Sequence, residues 1–331
     1  MIKIGAISPV SAPGFCGVSD YDAMLREKLS KIYDVRSFNS LKSISQYSIH
    51  GLLPSLFFLQ YPQRGWQTSL APLIYVLFLR ILRVKIVLVL HEYSMSHPLR
   101  KLICRGLELA CDEVVLTSTF ERQSFGKRHI TIIPVPTNMG DIADFPRGVS
   151  RKGVVYFSAL GPRKGVEEVL KISEDLDQST PLIIIGSLGA NDFAWQRDLA
   201  RANPNVTWVL NASQKLVRET LGGAQICLLP YPDGLSDRRA TFVTAIFAGA
   251  SILTNFGSAT PKALQKLERV WQYELGDTED LKNKLSQTLE ASNCVDDTYE
   301  SHRIEFIEQR RWSNVISRYQ QVINRFIADQ P

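Results

Sequence analysis

The sequence has few cysteines, and their spacing rules out several kinds of site. The chain has 331 residues and five cysteines: Cys16, Cys104, Cys111, Cys227 and Cys294. The number is odd and no CxxC pair occurs, so neither a disulfide framework nor a thioredoxin-like redox motif is indicated. We expect free, buried thiols in a protein of a reducing compartment.

Sequence motifs that mark metal, nucleotide-binding and hydrolytic sites are missing as well. The histidines lack ligand spacing with cysteines or carboxylates, and no GxSxG elbow, complete GxGxxG or Walker lysine occurs. Asp175 and Asp177 form a DxD, but at the end of a predicted helix rather than after a strand. Arginine-rich runs and nucleic-acid motifs are absent too. We therefore expect no metal site, no bound cofactor and no nucleic-acid partner.

Long hydrophobic runs are also absent. The most apolar stretch, Trp66 to Leu79, has about 14 residues, too few to span a bilayer, and Arg80 and Arg83 follow it. Met1 leads directly into a strand pattern, so no signal peptide is indicated and a cytoplasmic location is expected. Residues 1–150 carry 17 basic and 11 acidic residues. This excess suits peripheral contact with an anionic membrane, or reflects scattered surface charge.

What the sequence does contain is an alternation of strand and helix patterns in two halves. In the first half, strands are predicted at 2–8, 34–38, 55–61, 85–90, 113–117 and 130–133. A Pro-, Asn- and Gly-rich loop at 134–148 breaks the rhythm, and strands resume at 153–158, 182–186, 206–210, 225–229 and 251–255. The pattern predicts an α/β fold with two Rossmann-like parallel sheets, residues 1–148 and 149–300, facing across a cleft. An amphipathic helix within 301–331 follows.

The stretch from Cys227 to Ala250 predicts an anion site in the second half. It reads as a buried strand, a Pro- and Gly-containing turn and a helix capped by Ser236. Arg238 and Arg239 then fall in the first helical turn, where the helix dipole disfavours cations. An external phosphate would resolve this conflict; alternatively, both arginines are solvated or pair with nearby aspartates.

A glycine-containing loop follows the first strand. Gly14 and Gly17 allow close approach of a ligand to the backbone, and Ser19 is predicted to cap a helix with Asp22 as its capping-box partner. In parallel sheets, ligands bind beyond the carboxyl ends of the strands. This loop, Gln60 and the pair His91-Glu92 all occupy such positions.

The ordered set of motifs resembles GT-B glycosyltransferases of family 4. The similar segments are GVSDY (17–21), FFLQY (57–61), VLVLHEYSMSHPLRKL (87–102), ALGPRKGVEEVL (159–170) and PDGLSDRRATFVTAIFAGASILT (232–254). The resemblance covers nearly the whole chain. It implies two Rossmann-like domains and a last helix that crosses back to the first domain.

The resemblance also implies roles for residues. Lys164 matches the lysine that binds the donor diphosphate, with Arg163 beside it, whereas the family's usual arginine falls on Ala159 and its two glutamates fall on Ser236 and Thr244. Base and ribose binding map to Asn211, Leu216 and Thr244. Donor and phosphate binding map to Gly17, Arg163, Lys164, Ser236, Arg238, Arg239, Ala240 and Thr241.

His91 and Glu92 are the predicted catalytic residues. His91 resembles the family histidine near the reacting sugar, and it ends an apolar strand where a polar side chain would meet the cleft. The alternative is a core histidine bonded to a backbone carbonyl. Glu92 could orient His91 or contact the acceptor, or form a surface salt bridge. Gln60 and Asn138 are weaker candidates.

The implied function is a retaining, metal-independent glycosyltransferase with a nucleoside-diphosphate sugar donor. UDP is favoured over GDP, and the acceptor is a glycan or lipid-linked sugar in polysaccharide biosynthesis. Two alternatives stay open, namely a nucleotide-sugar epimerase of the same fold and a non-catalytic nucleotide-binding subunit. If the protein is an epimerase, incubation with the donor alone would yield an epimer. A non-catalytic subunit would bind nucleotide but transfer no sugar to any acceptor.

Overall fold

The computed structural model describes residues 2–9, 17–66, 69–126, 129–146, 150–176, 179–292 and 301–328. The chain divides into two compact units, one of Met1–Asn138 with Trp312–Pro331 and one of Met139–Arg311. The first unit is therefore built from two separate stretches of the sequence. Cys104, Cys111 and Cys227 are buried free thiols, whereas Gly14, Cys16, Asp177 and Cys294 lie outside the described residues.

Each unit contains a six-stranded sheet in which every pairing is parallel. The first sheet has the order β2-β1-β3-β4-β5-β6 and consists of β1 (Lys3–Ile7), β2 (Asp34–Phe38), β3 (Leu56–Tyr61), β4 (Lys85–Leu90), β5 (Glu113–Leu116) and β6 (Ile130–Ile132). The second has the order β12-β11-β10-β7-β8-β9 and consists of β7 (Val154–Leu160), β8 (Leu182–Leu188), β9 (Thr207–Leu210), β10 (Ile226–Leu229), β11 (Ser251–Thr254) and β12 (Val270–Gln272).

Helices connect the strands and cover the sheets. Those before residue 139 are α1 (Gly17–Ser30), α2 (Leu41–Ile49), α3 (Ala71–Ile81) and α4 (Pro98–Ala110). The rest are α5 (Val166–Leu170), α6 (Phe193–Ala202), α7 (Gln214–Gly222), α8 (Ala240–Ala248), α9 (Thr278–Ser292), α10 (Ser301–Arg310) and α11 (Trp312–Ala328). One-turn 3-10 helices lie at Arg64–Trp66, Phe120–Ser124, Ile142–Asp144, Ala190–Asp192 and Leu264–Lys266. Within the described ranges, all helices are too short or too polar to cross a bilayer.

The first sheet buries both of its faces, as expected for a parallel sheet. Alternate strand residues such as Phe57 and Leu88 pack under α3 and α4, and their neighbours Phe58 and Val87 pack under α1 and α11. Trp312 of α11 donates a hydrogen bond from Nε1 to the Thr137 carbonyl oxygen over 3.0 Å. The C-terminal helix is thus part of the first unit.

The second sheet is covered in the same way. Val155 and Cys227 lie on the face under α8, and Tyr156 and Leu228 lie on the face under α5 and α9. The alternation along each strand follows the period of two that places successive side chains on opposite faces. The α/β architecture with two parallel sheets is therefore confirmed.

Several predicted elements need correction. The helix expected at 165–177 ends at Leu170, because Ser173 Oγ donates to Asn203 Oδ1 over 2.9 Å and the Ser173 carbonyl accepts from Asn205. The expected single C-terminal helix is two helices, and α10 belongs to the second unit. The short elements α2 and β12 were not predicted. The division falls after Asn138, within the predicted boundary loop of residues 134–148.

Two predicted helix caps are wrong. Ser19 lies inside α1, which already includes Gly17. Ser236 does not cap α8, because that helix begins at Ala240 and Arg239 is its N-cap. Arg238 and Arg239 therefore precede the helix rather than occupying its first turn.

Candidate functional site

The strand order of the second sheet reverses between β7 and β10. The chain runs outward through β7, β8 and β9 and then returns to place β10 on the other side of β7. In open α/β sheets, ligands bind at such a switch point, beyond the carboxyl ends of the strands. The loops that leave β7 and β10 there are residues 161–165 and 230–239. They contain most of the residues that the sequence predicts for phosphate binding.

The two loops touch at Gly165 and Pro230. Gly165 has φ = 93°, and a Cβ at this position would lie 2.7 Å from the Pro230 carbonyl oxygen. The hydroxyl of Tyr156, on β7, donates to the Lys164 carbonyl oxygen over 2.5 Å and so ties the loop to the strand. Arg163 has φ = 62°, and both its side chain and that of Lys164 are exposed. The backbone is thus fixed while two cationic side chains extend into solvent.

Asn255 fixes the second loop. Its Oδ1 accepts from the Tyr231 N–H over 2.7 Å, and its Nδ2 donates to the Tyr231 carbonyl oxygen, also over 2.7 Å. Leu235 N–H donates to the Asn255 carbonyl oxygen over 2.9 Å. Gly234 has φ = 82° and packs against Gly257, where a Cβ would lie 2.4 Å from the backbone nitrogen. These bonds fix the loop as far as Leu235. A turn follows in which the Arg239 N–H donates to the Ser236 carbonyl oxygen over 3.2 Å, and α8 begins only at Ala240.

Ser236 has a buried hydroxyl at the switch point. The residue is 5% exposed, and within the described ranges its Oγ has no hydrogen-bond partner. A buried hydroxyl without a partner costs free energy, so a ligand that bonds to it would be stabilised. The Arg239 side chain does not cap the helix that follows, and the first N–H groups of a helix have no partner within the helix itself.

Arg239 is already partly engaged by the protein. It pairs with Asp233, and its guanidinium lies 4.9 Å from the ring centre of Tyr231. The Tyr231 hydroxyl is 2.8 Å from Thr241 Oγ1, and burial raises the pKa of Tyr231 above its usual value. The arrangement holds Arg239 against the loop. The predicted alternative of pairing with an aspartate therefore applies to this arginine.

The predicted base- and ribose-binding residues lie in different places. Asn211 follows β9 with φ = 51°, and its Oδ1 accepts from the Leu188 N–H over 2.9 Å. Leu216 is 42% exposed in α7. Thr244 is buried in α8, and its hydroxyl donates to the Ala240 carbonyl oxygen over 2.7 Å. The contacts of these three residues with a nucleotide stay predictions.

The predicted catalytic residues lie in the first unit. His91 directly follows β4, is 6% exposed and has its Nε2 2.7 Å from Oε1 of Gln60. Its ring meets that of Tyr21 edge-on, with 5.1 Å between the centroids. Glu92 is half-buried, and its carbonyl oxygen accepts from Ser96 Oγ over 3.4 Å. Gly17 is exposed at the start of α1. One partner of the His91 ring is therefore the side chain of Gln60.

Sequence reasoning missed that Asp22 of α1 is a buried carboxylate of the first unit. Asp22 accepts from Ser8 Oγ over 2.6 Å and from Arg26 Nε over 3.1 Å. Burial raises its pKa, and the attraction of Arg26 partly offsets that effect. The available signals were a serine directly after β1 and the i,i+4 spacing of an aspartate and an arginine on α1.

The described residues contain no cluster of His, Cys, Asp and Glu that could hold a metal ion. Of the DxD sequence, Asp175 pairs with Lys282 over 2.9 Å, which is the contact of a surface carboxylate. The loops at the switch point carry the cations Arg163 and Lys164 and the hydroxyl of Ser236.

Comparison with known proteins agrees with this architecture. No family model matches the chain. The uncharacterized glycosyltransferase YqgM of Bacillus subtilis is 25% identical over 142 residues, a match that spans 40% of each chain. The sucrose-phosphate synthase structure from Thermosynechococcus elongatus aligns with a TM-score of 0.77 over 100% of both chains at 13% identity. The chain has the GT-B glycosyltransferase fold.

A second solved structure, which was determined with its ligands bound, also resembles the chain. Anabaena HepE in complex with UDP and glucose aligns with a TM-score of 0.68 at 14% identity, over 99% of this chain and 100% of HepE. At these identities the solved structures define the fold of this chain, and its activity is argued from the site.

Proposed function

We propose that this chain is a glycosyltransferase that takes a sugar from a nucleoside-diphosphate donor bound by the second unit. The observation that carries the proposal is the meeting of loops 161–165 and 230–239 at the switch point, with Lys164 and Arg163 exposed on one and the unpartnered Ser236 hydroxyl on the other. The GT-B fold and the curated relative support the same reaction class. UDP is the preferred nucleotide, in line with HepE, which was solved with UDP.

The site suits a leaving diphosphate. Cleavage of the bond between the sugar and the phosphate leaves negative charge on the diphosphate, and preorganised donors aimed at that charge lower the barrier. Lys164 supplies a compact cation and Arg163 a planar one. The Ser236 hydroxyl and the first N–H groups of α8 supply neutral donors. This inventory stabilises the diphosphate through protein groups alone, so the proposed reaction is metal-independent.

The finer features of the reaction extend the proposal. As a family 4 member, the enzyme retains the configuration of the sugar and transfers it to a glycan or a lipid-linked acceptor in polysaccharide biosynthesis. His91 acts near the reacting sugar, held by Gln60, and Glu92 orients the acceptor. The basic first unit makes peripheral contact with a membrane that presents the acceptor.

The test is nucleotide binding followed by thermal unfolding. A ligand that binds only the folded chain raises the free energy of unfolding with the logarithm of its concentration over the dissociation constant. We expect UDP to raise the midpoint more than GDP, ADP or dTDP, and Lys164→Ala to abolish the shift. Lys152→Ala is the matched control, since Lys152 is exposed next to the opposite end of β7. An unchanged shift in Lys164→Ala would contradict the placement of the diphosphate.

A further inference from the structure

Two adjacent helices of the first unit expose a row of aliphatic side chains. Six residues of α3, α4 and the turn before α3 are more than half exposed, from 51% for Ile74 to 78% for Ile81. These six residues form what we call the aliphatic ridge: Leu70, Ile74, Leu77, Ile81, Leu102 and Leu109. Contiguous apolar surface of this kind marks an interaction site more often than isolated exposed leucines do.

Packing between the helices makes the ridge continuous. Gly106 of α4 lies against Leu73 of α3, where a Cβ would be 2.8 Å from Leu73 Cδ2. Further along, Arg80 pairs with Asp112 over 3.0 Å. Both contacts show the helices running side by side in the same direction. Leu70 is therefore level with Leu102, and Leu77 is level with Leu109.

The opposite faces of the same helices are already occupied. Val76 and Leu79 of α3 and Ile103 and Leu107 of α4 are buried in the core over the first sheet. The ridge thus adds apolar surface that the fold itself does not use. Aliphatic side chains exposed to water are unfavourable relative to the same side chains buried, so a partner that covers the ridge would be stabilised on it.

The charge around the ridge is positive. Residues 70–112 contain six basic residues and three acidic ones. Arg80 and Lys85 share the carboxylate of Asp112, at 3.0 and 3.4 Å. Arg83 is exposed two residues after Ile81. Apolar side chains bordered by cations are the pattern that binds the surface of an anionic bilayer.

We propose that the aliphatic ridge seats the first unit on an anionic lipid surface, with the leucines among the acyl chains and the basic residues at the headgroups. The 11-residue α3 is too short to span a bilayer, so the helices lie along the surface. A second copy of the chain is a poorer occupant. A two-fold contact sets the same patch against itself and would oppose cations to cations. The inference rests on the membrane contact included in the proposed function, and it assigns that contact to the aliphatic ridge.

Sedimentation of the full chain with vesicles tests the proposal. We expect binding to vesicles of phosphatidylglycerol and phosphatidylcholine at low salt, and weaker binding to phosphatidylcholine alone or at high salt. Leu77→Gln with Leu102→Gln should weaken binding roughly tenfold for each residue. Leu275→Gln with Ile304→Gln is the matched control, because both residues are exposed on the second unit. Arg83→Glu should reduce binding to anionic vesicles and change binding to neutral ones little.

Three results would overturn the inference. The parent chain does not sediment with anionic vesicles; the ridge variant binds as well as the parent; or the chain forms a dimer that the ridge variant dissociates, without vesicle binding. The UDP-induced thermal shift is measured on the same preparations. A shift retained in the ridge variant shows that the fold is intact. Vesicle binding without any nucleotide shift in the parent would remove the proposed function and leave this inference standing.

Discussion

Gly165 lies against Pro230, so close that a Cβ on Gly165 would be 2.7 Å from the Pro230 carbonyl oxygen. The contact joins the loop after β7 to the loop after β10. The first loop carries the exposed cations Arg163 and Lys164, and the second carries the buried Ser236 hydroxyl. The geometry of the proposed diphosphate site therefore depends on a residue that has no side chain.

Gly165→Ala should destabilise the second unit and weaken nucleotide binding. An L-residue at positive φ costs about 1–2 kcal/mol, and here the Pro230 carbonyl must also move. We expect a loss of about 2 kcal/mol or more in the free energy of unfolding, measured in urea. Gly126→Ala is the control, since a Cβ there meets nothing within 4 Å. Equal stability of the two variants would refute the close contact.

Gln60→Met should disturb His91 without changing the volume of the core greatly. The substitution removes the acceptor that lies 2.7 Å from His91 Nε2 and leaves a buried ring nitrogen without it. Such a loss costs about 1–3 kcal/mol. We expect lower stability and, in a sugar-transfer assay, a lower kcat with little change in the KM of the donor. Gln46→Met, on the exposed side of α2, should match the parent. A variant with parental kcat would separate Gln60 from the reaction.

Asp22 should make stability fall as pH rises. Burial raises its pKa above 3.8, so in the window above 3.8 the folded chain holds a proton that the unfolded chain has released. The free energy of unfolding therefore decreases with pH across this window. Asp22→Asn removes that loss, so its stability relative to the parent should rise as the pH increases above 3.8. Urea unfolding at a series of pH values measures the difference.

Asp34 provides a control of opposite sign. Hydrogen bonds from Arg36 lower the pKa of Asp34, so its contribution is present above 3.8 and is lost as pH falls. Asp34→Asn should therefore lose stability relative to the parent as pH rises through the acidic range. If both variants changed in the same direction, the assignment of Asp22 would be wrong.

Much of the fold could be predicted from the sequence because its strands are apolar runs bounded by turns. Asp34–Phe38 and Lys85–Leu90 have the predicted bounds. The misses have local causes. Helix α2 is rich in serine and depends on the cap of Ser40, whose Oγ accepts from the Ser43 N–H over 3.2 Å. The three-residue β12 gives too short a signal, and its pairing with β11 is a tertiary contact.

The candidate site was harder to predict than the fold. Lys164 is recognisable because glycines and a proline surround it, but the start of α8 is not. Asn255, some twenty residues away, fixes the loop before Ser236 through its two hydrogen bonds to Tyr231. The pairing of Gln60 with His91 depends on β3 and β4 being neighbours. Sequence spacing shows which residues end strands, and the order of the strands decides which of those ends meet.

Helix α11 supplies Trp312, Val315, Ile316, Tyr319, Val322 and Ile323 to the core of the first unit, 174 residues after that unit's preceding residue, Asn138. During synthesis on the ribosome, one face of the first sheet must therefore stay uncovered while the whole second unit is made. The second unit is one continuous stretch, Met139–Arg311, and so it is complete before α11 is synthesised. We expect it to mature first, with the amino-terminal half protected by chaperones until residues 312–328 emerge.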